Sequence, residues 1–273
     1  DRTIVTLSLI SFFSLFFFIW RQLTYKYPIV NLKVLKDTNL RVGTILSFIM
    51  GFGLYGSTFI IPIYTQSILG WTATDAGLLL IPSSLMTAFM MPIIGQLLQK
   101  GVPQKYLVAL GFLMFFFFTF WMYNVMTPDT GEEYMYWPLI IRGLGLGLLF
   151  VPITTLSLST LKGKSIGEGA AFTGMMRQLG GSFGIAIITT FIARFSQEHR
   201  VNLIANIDAT KTQVQDRITQ LQQGFMAKGF SSNEALAKAH KIIDFSVNKQ
   251  STVLSYMDIF LYLGILFLVC IPI

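Results

Sequence analysis

Long apolar runs separated by short polar segments dominate this chain. The stretches TIVTLSLISFFSLFFFIW (3–20) and YLVALGFLMFFFFTFWMY (106–123) each hold 18 residues without a charge. Runs of that length reach the threshold for a helix crossing a bilayer, whose hydrocarbon core is about 30 Å thick. The pattern predicts seven spans, at 3–20, 43–66, 76–98, 105–126, 137–160, 167–193 and 252–273. Residues 194–251 depart from it. There Val214, Ile218, Leu221 and Phe225 recur at helical spacing, and Leu236, Ile243 and Val247 form a second apolar stripe. Ser231 precedes Glu234 by three residues, the spacing of a capping box, and KGFSS supplies a turn between the stripes. This segment is predicted to be an external helical hairpin that packs on itself and extends span 167–193 outward.

The polar connections set the orientation. Arg21, Lys26, Lys33, Lys36 and Arg41, then Lys100 and Lys105, then Lys162 and Lys164 fall on one side, nine basic residues in all. The opposite short connections, 67–75 and 127–136, carry no Lys or Arg and hold Asp75, Asp129, Glu132 and Glu133. Basic residues accumulate on the cytoplasmic side, so 21–42 is a cytoplasmic linker and the first span runs inward. The long outer segment escapes this rule, and its lysines do not contradict it. Residue 1 lies hard against an apolar run and Ile273 falls inside one, which predicts a C-terminal piece of a longer polytopic protein.

Composition narrows the function. Only 12% of residues are charged, against about 25% in typical soluble domains. The net charge of +7 is scattered between spans, which argues against a nucleic-acid partner. One cysteine, Cys270, can build neither an intrachain disulfide nor a metal site alone. Both histidines, His199 and His240, lie in the outer segment. No span carries a carboxylate cluster and no H-E-x-x-H occurs. These features predict no enzyme activity, no metal and no cofactor.

Helix-breaking residues repeat. Gly51, Gly53, Gly56 and Pro62 punctuate one span; Gly143, Gly145, Gly147 and Pro152 punctuate another. Gly53 to Pro62 and Gly143 to Pro152 are both nine residues, in spans of opposite direction. Matched interrupted helices of opposite direction are the mark of a 3+3 inverted repeat in transporters. Gly143-x-x-x-Gly147 and Gly180-x-x-x-Gly184 are small-xxx-small motifs for close helix packing. Pro152 bends its helix where Thr154 or Thr155 can satisfy the freed carbonyl.

Charges inside spans cost about 2.5–3.5 kcal/mol at the helix centre, so each needs a reason. Arg177, beside Gln178, is either a cavity-facing cation or a contact that pins the helix to backbone carbonyls. Arg142 and Asp258 lie at similar depths, and Asp75 opens the third span. An Arg142–Asp258 or Arg142–Asp75 pair is expected, with a proton-carrying Asp258 as the alternative. Breaking a buried pair costs about 3–5 kcal/mol. Tyr55, Phe59 and Gln66 share one helix face and suit amphipathic cargo if that face lines a cavity. The run Phe115–Phe118 is expected to face lipid.

The stretches TATDAGLLLIPSSLMTAFMMPIIGQLLQKGVPQKYLVALG (72–111), TPDTG (127–131), RGLGLGLLFVPITTLSLSTL (142–161) and GAAFTGMMRQLGGSFGIAIITT (169–190) resemble, in this order, the major facilitator superfamily. They look most like its fourteen-helix drug:proton antiporters, the EmrB/QacA type. The resemblance implies an all-α integral membrane fold: one linker transmembrane helix at 1–20, the cytoplasmic linker, then a six-helix transporter half at 43–273 carrying the loop 194–251. It implies proton-coupled efflux of drug-like compounds by alternating access, in the inner membrane of a bacterium. The partners it implies are the lipid bilayer, an N-terminal transporter half, an amphipathic substrate, protons, a periplasmic adaptor and an outer-membrane channel. Other cargo (a siderophore, lipid or metabolite) and a non-transporting scaffold are the alternatives. The family's gating motif G-x-L-x-D-R-x-G-R-[KR] is partly kept. Gly95, Leu97 and Lys100 match, but Gln99 replaces the acid.

Overall fold

A computed structural model describes residues 2–25, 35–207 and 212–271. Lys26 and Lys33 of the expected cytoplasmic linker lie outside the described residues, as do the last two residues of the final span. The described residues form nine helices: α1 (Arg2–Thr24), α2 (Thr38–Ser67), α3 (Ala73–Leu78), α4 (Ile81–Gln99), α5 (Gln104–Val125), α6 (Glu132–Leu158), α7 (Lys164–Asn206), α8 (Thr212–Met226) and α9 (Ser232–Val269). Seven segments are long and apolar enough to cross a membrane, with α3 and α4 together forming one of them. The all-helical membrane fold agrees with the sequence pattern.

Local chemistry sets the helix starts. Asp37 caps α2, its carboxylate accepting from the Leu40 N–H at 2.9 Å. Thr72 and Asp75 form a reciprocal capping box on α3, and Pro82 sits in the first turn of α4, where a missing N–H costs nothing. The expected Ser231–Glu234 capping box opens α9. Gly229 turns the chain before it at φ 91°, a conformation that disfavours side chains.

Two helices run far beyond the bilayer. α7 has 43 residues and α9 has 38. At 1.5 Å per residue they span about 65 and 57 Å, roughly twice the hydrocarbon thickness. The outer segment is therefore built from the ends of two spans with α8 packed on α9. Val214, Ile218, Leu221 and Phe225 are partly buried, with Gln222, in an otherwise exposed α8. The second stripe holds at Val247, which is buried, and at Ile243, which is partly buried, but Leu236 is exposed and Ala235 and Ala239 are buried in its place. Small alanines let α8 approach closely, which a bulk-weighted reading of the stripe overlooks.

The core lies between α2, α5, α6 and α9. Phe112, Phe115, Phe118, Tyr64, Phe260 and Phe267 are almost fully buried in it. Phe115 stacks near Phe267, with ring centroids 4.3 Å apart, and Phe118 meets Phe260 edge-on at 5.8 Å. The expectation that Phe115–Phe118 faces lipid is thus half wrong: of the run, Phe117 is strongly exposed. A helix turning 100° per residue points four consecutive side chains in four directions.

Glycines fix the crossings. A Cβ on Gly51 would lie 2.0 Å from the Arg177 carbonyl oxygen, and one on Gly180 would lie 2.0 Å from that of Phe48. α2 and α7 therefore touch backbone to backbone, with Gly184 continuing the contact against Phe52. On α6, Gly143 and Gly147 face α4 at Ser83 and Met90, whereas Gly145 faces α5 at Gly111. The first helix of each triplet thus packs through glycine on the second helix of the other. Pro152 is accommodated differently from expectation. Thr154 bonds the Phe150 carbonyl, and Thr155 those of Val151 and Pro152. Neither reaches the carbonyl of Leu148, which Pro152 frees.

Candidate functional site

Arg142 lies ten residues into α6, about 15 Å from its outer end. It is 4% exposed and pairs with no carboxylate among the described residues. Its Nε donates to Ser57 Oγ at 2.9 Å, Nη1 to Ser83 Oγ at 3.1 Å, and Nη2 to the Leu54 carbonyl at 3.3 Å and to Thr58 Oγ1. The expected acidic partners are engaged elsewhere. Asp75 Oδ2 accepts from the Thr72 hydroxyl at 2.6 Å within the α3 cap. Asp258 sits 2.6 Å from His199 Nε2. Arg142 is a polar pin joining α2, α4 and α6. Hydroxyls can replace a carboxylate here because a guanidinium's donors fan out toward several acceptors at once. Ser57, Thr58 and Ser83 were not singled out from sequence. Serines and threonines are ordinary in membrane helices, and only the fold brings these three around one arginine.

Arg177 differs. It lies 13 residues into α7, about 20 Å from the inner end and near the bilayer midplane. It is partly exposed, and its guanidinium carbon stands 4.1 Å from the Phe150 ring centroid, a cation–π contact with α6. Its buried Nε finds no hydrogen-bond partner. Beside it, Tyr55 on α2 donates its hydroxyl to Gln178 Oε1 at 2.9 Å. Arg177, Gln178 and Tyr55 therefore come together with Phe150, which sequence reasoning missed. Phe59 lies one turn along α2, half-buried, and Gln66 is exposed farther out.

The outer seam holds the remaining charges. His199 on α7 meets Asp258 on α9, and Arg200 meets Asp244 at 2.6 Å. Between the helices, Phe195 stacks on Tyr262 at 5.6 Å. The TPDTG turn is also built into this face: the Tyr64 hydroxyl donates to the Thr127 carbonyl at 2.6 Å. At the inner side, Gly95 lies in the last turns of α4 and Lys100 is its exposed C-cap. Neither Gly95 nor Lys100 is joined to Arg142 or Arg177.

Two stretches, 163–167 and 180–184, have the G-x-S-x-G spacing of a hydrolase nucleophile elbow. An elbow needs a strand-to-helix turn. Ser182 lies mid-helix, with its hydroxyl on the Gln178 carbonyl at 3.1 Å, and 163–167 is the N-terminal turn of α7. No group of three metal-ligating side chains occurs among the described residues.

Residues 3–185 match the family model of the Major Facilitator Superfamily. The chain is 31% identical over 272 residues to the fatty acid resistance protein FarB of Neisseria gonorrhoeae, covering 99% of this chain and 51% of that protein. It is 26% identical over 251 residues to the multidrug export protein EmrB of Escherichia coli K12, covering 89% and 49%. It is 23% identical over 253 residues to the colistin resistance protein EmrB of Acinetobacter baumannii, covering 92% and 48%. The chain spans about half the length of these relatives. It is a multi-pass membrane protein and belongs to the major facilitator superfamily.

Proposed function

We propose that this chain is the C-terminal half of a proton-coupled exporter of amphipathic compounds, working by alternating access in a bacterial inner membrane. The observation that carries this reading is Arg177. A partly exposed guanidinium near the midplane cannot face hydrocarbon; such residues face a water-filled cavity or a protein partner. The face bearing Arg177, Gln178 and Tyr55 is therefore the side turned toward an N-terminal half and the cargo. The glycine contacts between α2 and α7 pack these two helices of the half closely and leave smooth faces along which they can shift. Proton coupling rests on likeness to the antiporters, since Arg142 is sealed by hydroxyls and Asp258 is engaged by His199. The family consists of transporters, and no catalytic, metal or cofactor role is proposed for any residue.

The test is efflux of a panel of dyes from cells carrying the full-length protein, with and without a proton uncoupler. Uncoupler-sensitive efflux is expected. Efflux that survives uncoupling overturns the antiporter mechanism. The outer helices, with Val201 and Phe245 strongly exposed, are proposed to dock a periplasmic adaptor leading to an outer-membrane channel. Full adaptor binding after deletion of 208–247 sinks that part. Fatty acid cargo is a second reading, favoured by the match to FarB over 99% of this chain.

A further inference from the structure

Two arginines sit near the midplane, and their surroundings differ in one respect that decides cargo. Arg142 has acceptors on two neighbouring helices, α2 and α4, and is closed off. Arg177 has no hydrogen-bond acceptor among the described residues: its Nε is buried without a partner, and its guanidinium rests on the Phe150 ring. No ion pair among the described residues involves either arginine. The described carboxylates of the spans stand at their ends or on His199, and none of the described carboxylates neutralises Arg177. In a low-dielectric setting an unpaired guanidinium attracts an anion and repels a cation strongly. A guanidinium offers parallel N–H groups that match a carboxylate bidentately. Gln178 lies beside it on an exposed position, and its amide oxygen already accepts from the Tyr55 hydroxyl, which leaves its N–H groups as donors for another acceptor.

We infer that Arg177, seated on Phe150 and flanked by Gln178 and Tyr55, is the subsite for the headgroup of a monoanionic amphiphile, a carboxylate with an apolar tail. This rests on the exporter reading and sharpens it. The site selects by charge, and cationic amphiphiles of the same shape are disfavoured.

The experiment compares laurate with dodecylamine, which share a tail and differ in headgroup charge. Tolerance to each is measured in cells lacking their own exporters and carrying the full-length protein at matched membrane levels. The intact protein is expected to raise laurate tolerance. Arg177→Gln is expected to cut that protection at least fourfold without lowering dodecylamine tolerance, and Arg177→Lys to retain at least half of it. Gln178→Glu changes an exposed side chain and supplies a neutralising carboxylate. It is expected to lower laurate protection and raise dodecylamine protection, and it serves where Arg177→Gln fails to insert. Equal loss of both protections, or loss of neither, overturns the inference and assigns Arg177 to a protein carboxylate or to packing. Protection against dodecylamine but not laurate overturns it while leaving the exporter intact. Protection against neither amphiphile nor any dye overturns the exporter reading itself.

Discussion

Ser83→Ala tests whether Arg142 is held by hydroxyls. Ser83 is 1% exposed and Arg142 4%, so water cannot replace the lost acceptor. Hydrogen bonds to charged groups contribute about 1.5–3 kcal/mol in proteins. Interhelical hydrogen bonds in membranes average about 0.6 kcal/mol and reach about 1.7. The 3.1 Å bond from Nη1 is of moderate length, so a cost of about 1–2 kcal/mol is expected. Arg142→Met should behave differently. It removes a cation that costs about 2.5–3.5 kcal/mol to place at the helix centre. Two of the three hydroxyls it abandons have other partners: Ser57 already bonds the Gly53 carbonyl at 2.6 Å, and Thr58 that of Leu54 at 2.7 Å; the third, Ser83, is the one that the paired Ser83→Ala change removes. An apolar replacement of similar volume is therefore expected to be near neutral, as when buried ion clusters are replaced whole.

The assay is a double-mutant cycle on the full-length protein in dodecyl maltoside micelles, unfolded with sodium dodecyl sulfate. Ser83→Ala should lower the midpoint in the native background and leave it nearly unchanged beside Arg142→Met. The coupling energy then equals most of the single-mutant cost, about 1–2 kcal/mol. An equal cost in both backgrounds refutes the reasoning, because Ser83 would then act through something other than Arg142.

Gly180→Ala should destabilise by about 1–3 kcal/mol, since its Cβ would meet the Phe48 carbonyl oxygen at 2.0 Å. Gly174→Ala in the same helix meets nothing within 4 Å and should be neutral; thermal stability in detergent compares the two. Asp258→Asn weakens a contact whose side chains are 26% and 33% exposed, so a loss of about 0.2–1 kcal/mol is expected. Uncoupler-sensitive efflux should persist in that variant; its abolition at full membrane level makes Asp258 a proton carrier. The Asp37 carboxyl is held below its ordinary pKa of 3.8, chiefly by the Leu40 N–H and then by the Thr160 side chain. A lowered folded value means its stabilisation is fully present above 3.8 and fades as pH falls through the lower native value. Asp37→Ala should therefore lower the unfolding midpoint at neutral pH and lose its effect at strongly acid pH.

Much of the fold was legible because apolar runs and small residues carry direct physical consequences. Span positions follow from hydrocarbon thickness, and the facing of Gly143 and Gly147 away from Gly145 follows from helical spacing. The partners of polar groups were not legible. Charge alone paired Arg142 with Asp258 or Asp75, yet Asp75 is consumed locally by Thr72 and Asp258 by a histidine from the extended α7. Pairing depends on which helices meet and at what height, and no single-chain pattern encodes that height. Burial within aromatic runs was obscured for the same reason: Phe115 and Phe117 have identical chemistry and opposite surroundings.

The glycine crossing and the unpaired cation are one arrangement rather than two. Gly51 lies against the backbone of Arg177 itself, and its missing Cβ would stand 2.0 Å from that residue's carbonyl oxygen. Backbone atoms cannot rotate aside as a side chain can, so Gly51→Ala must move α7 away from α2 at the level of Arg177. The guanidinium rests 4.1 Å from Phe150 on α6, a contact that a shift of about an ångström would loosen. Gly51→Ala is thus expected to change selectivity as well as stability. Laurate protection should fall relative to dodecylamine protection in variants that still reach the membrane, in the same direction as Arg177→Gln. Gly174→Ala should leave the ratio unchanged. A Gly51→Ala protein that is less stable yet keeps the native laurate-to-dodecylamine ratio would separate the two features. The close crossing would then be packing alone, with Arg177 positioned by α6.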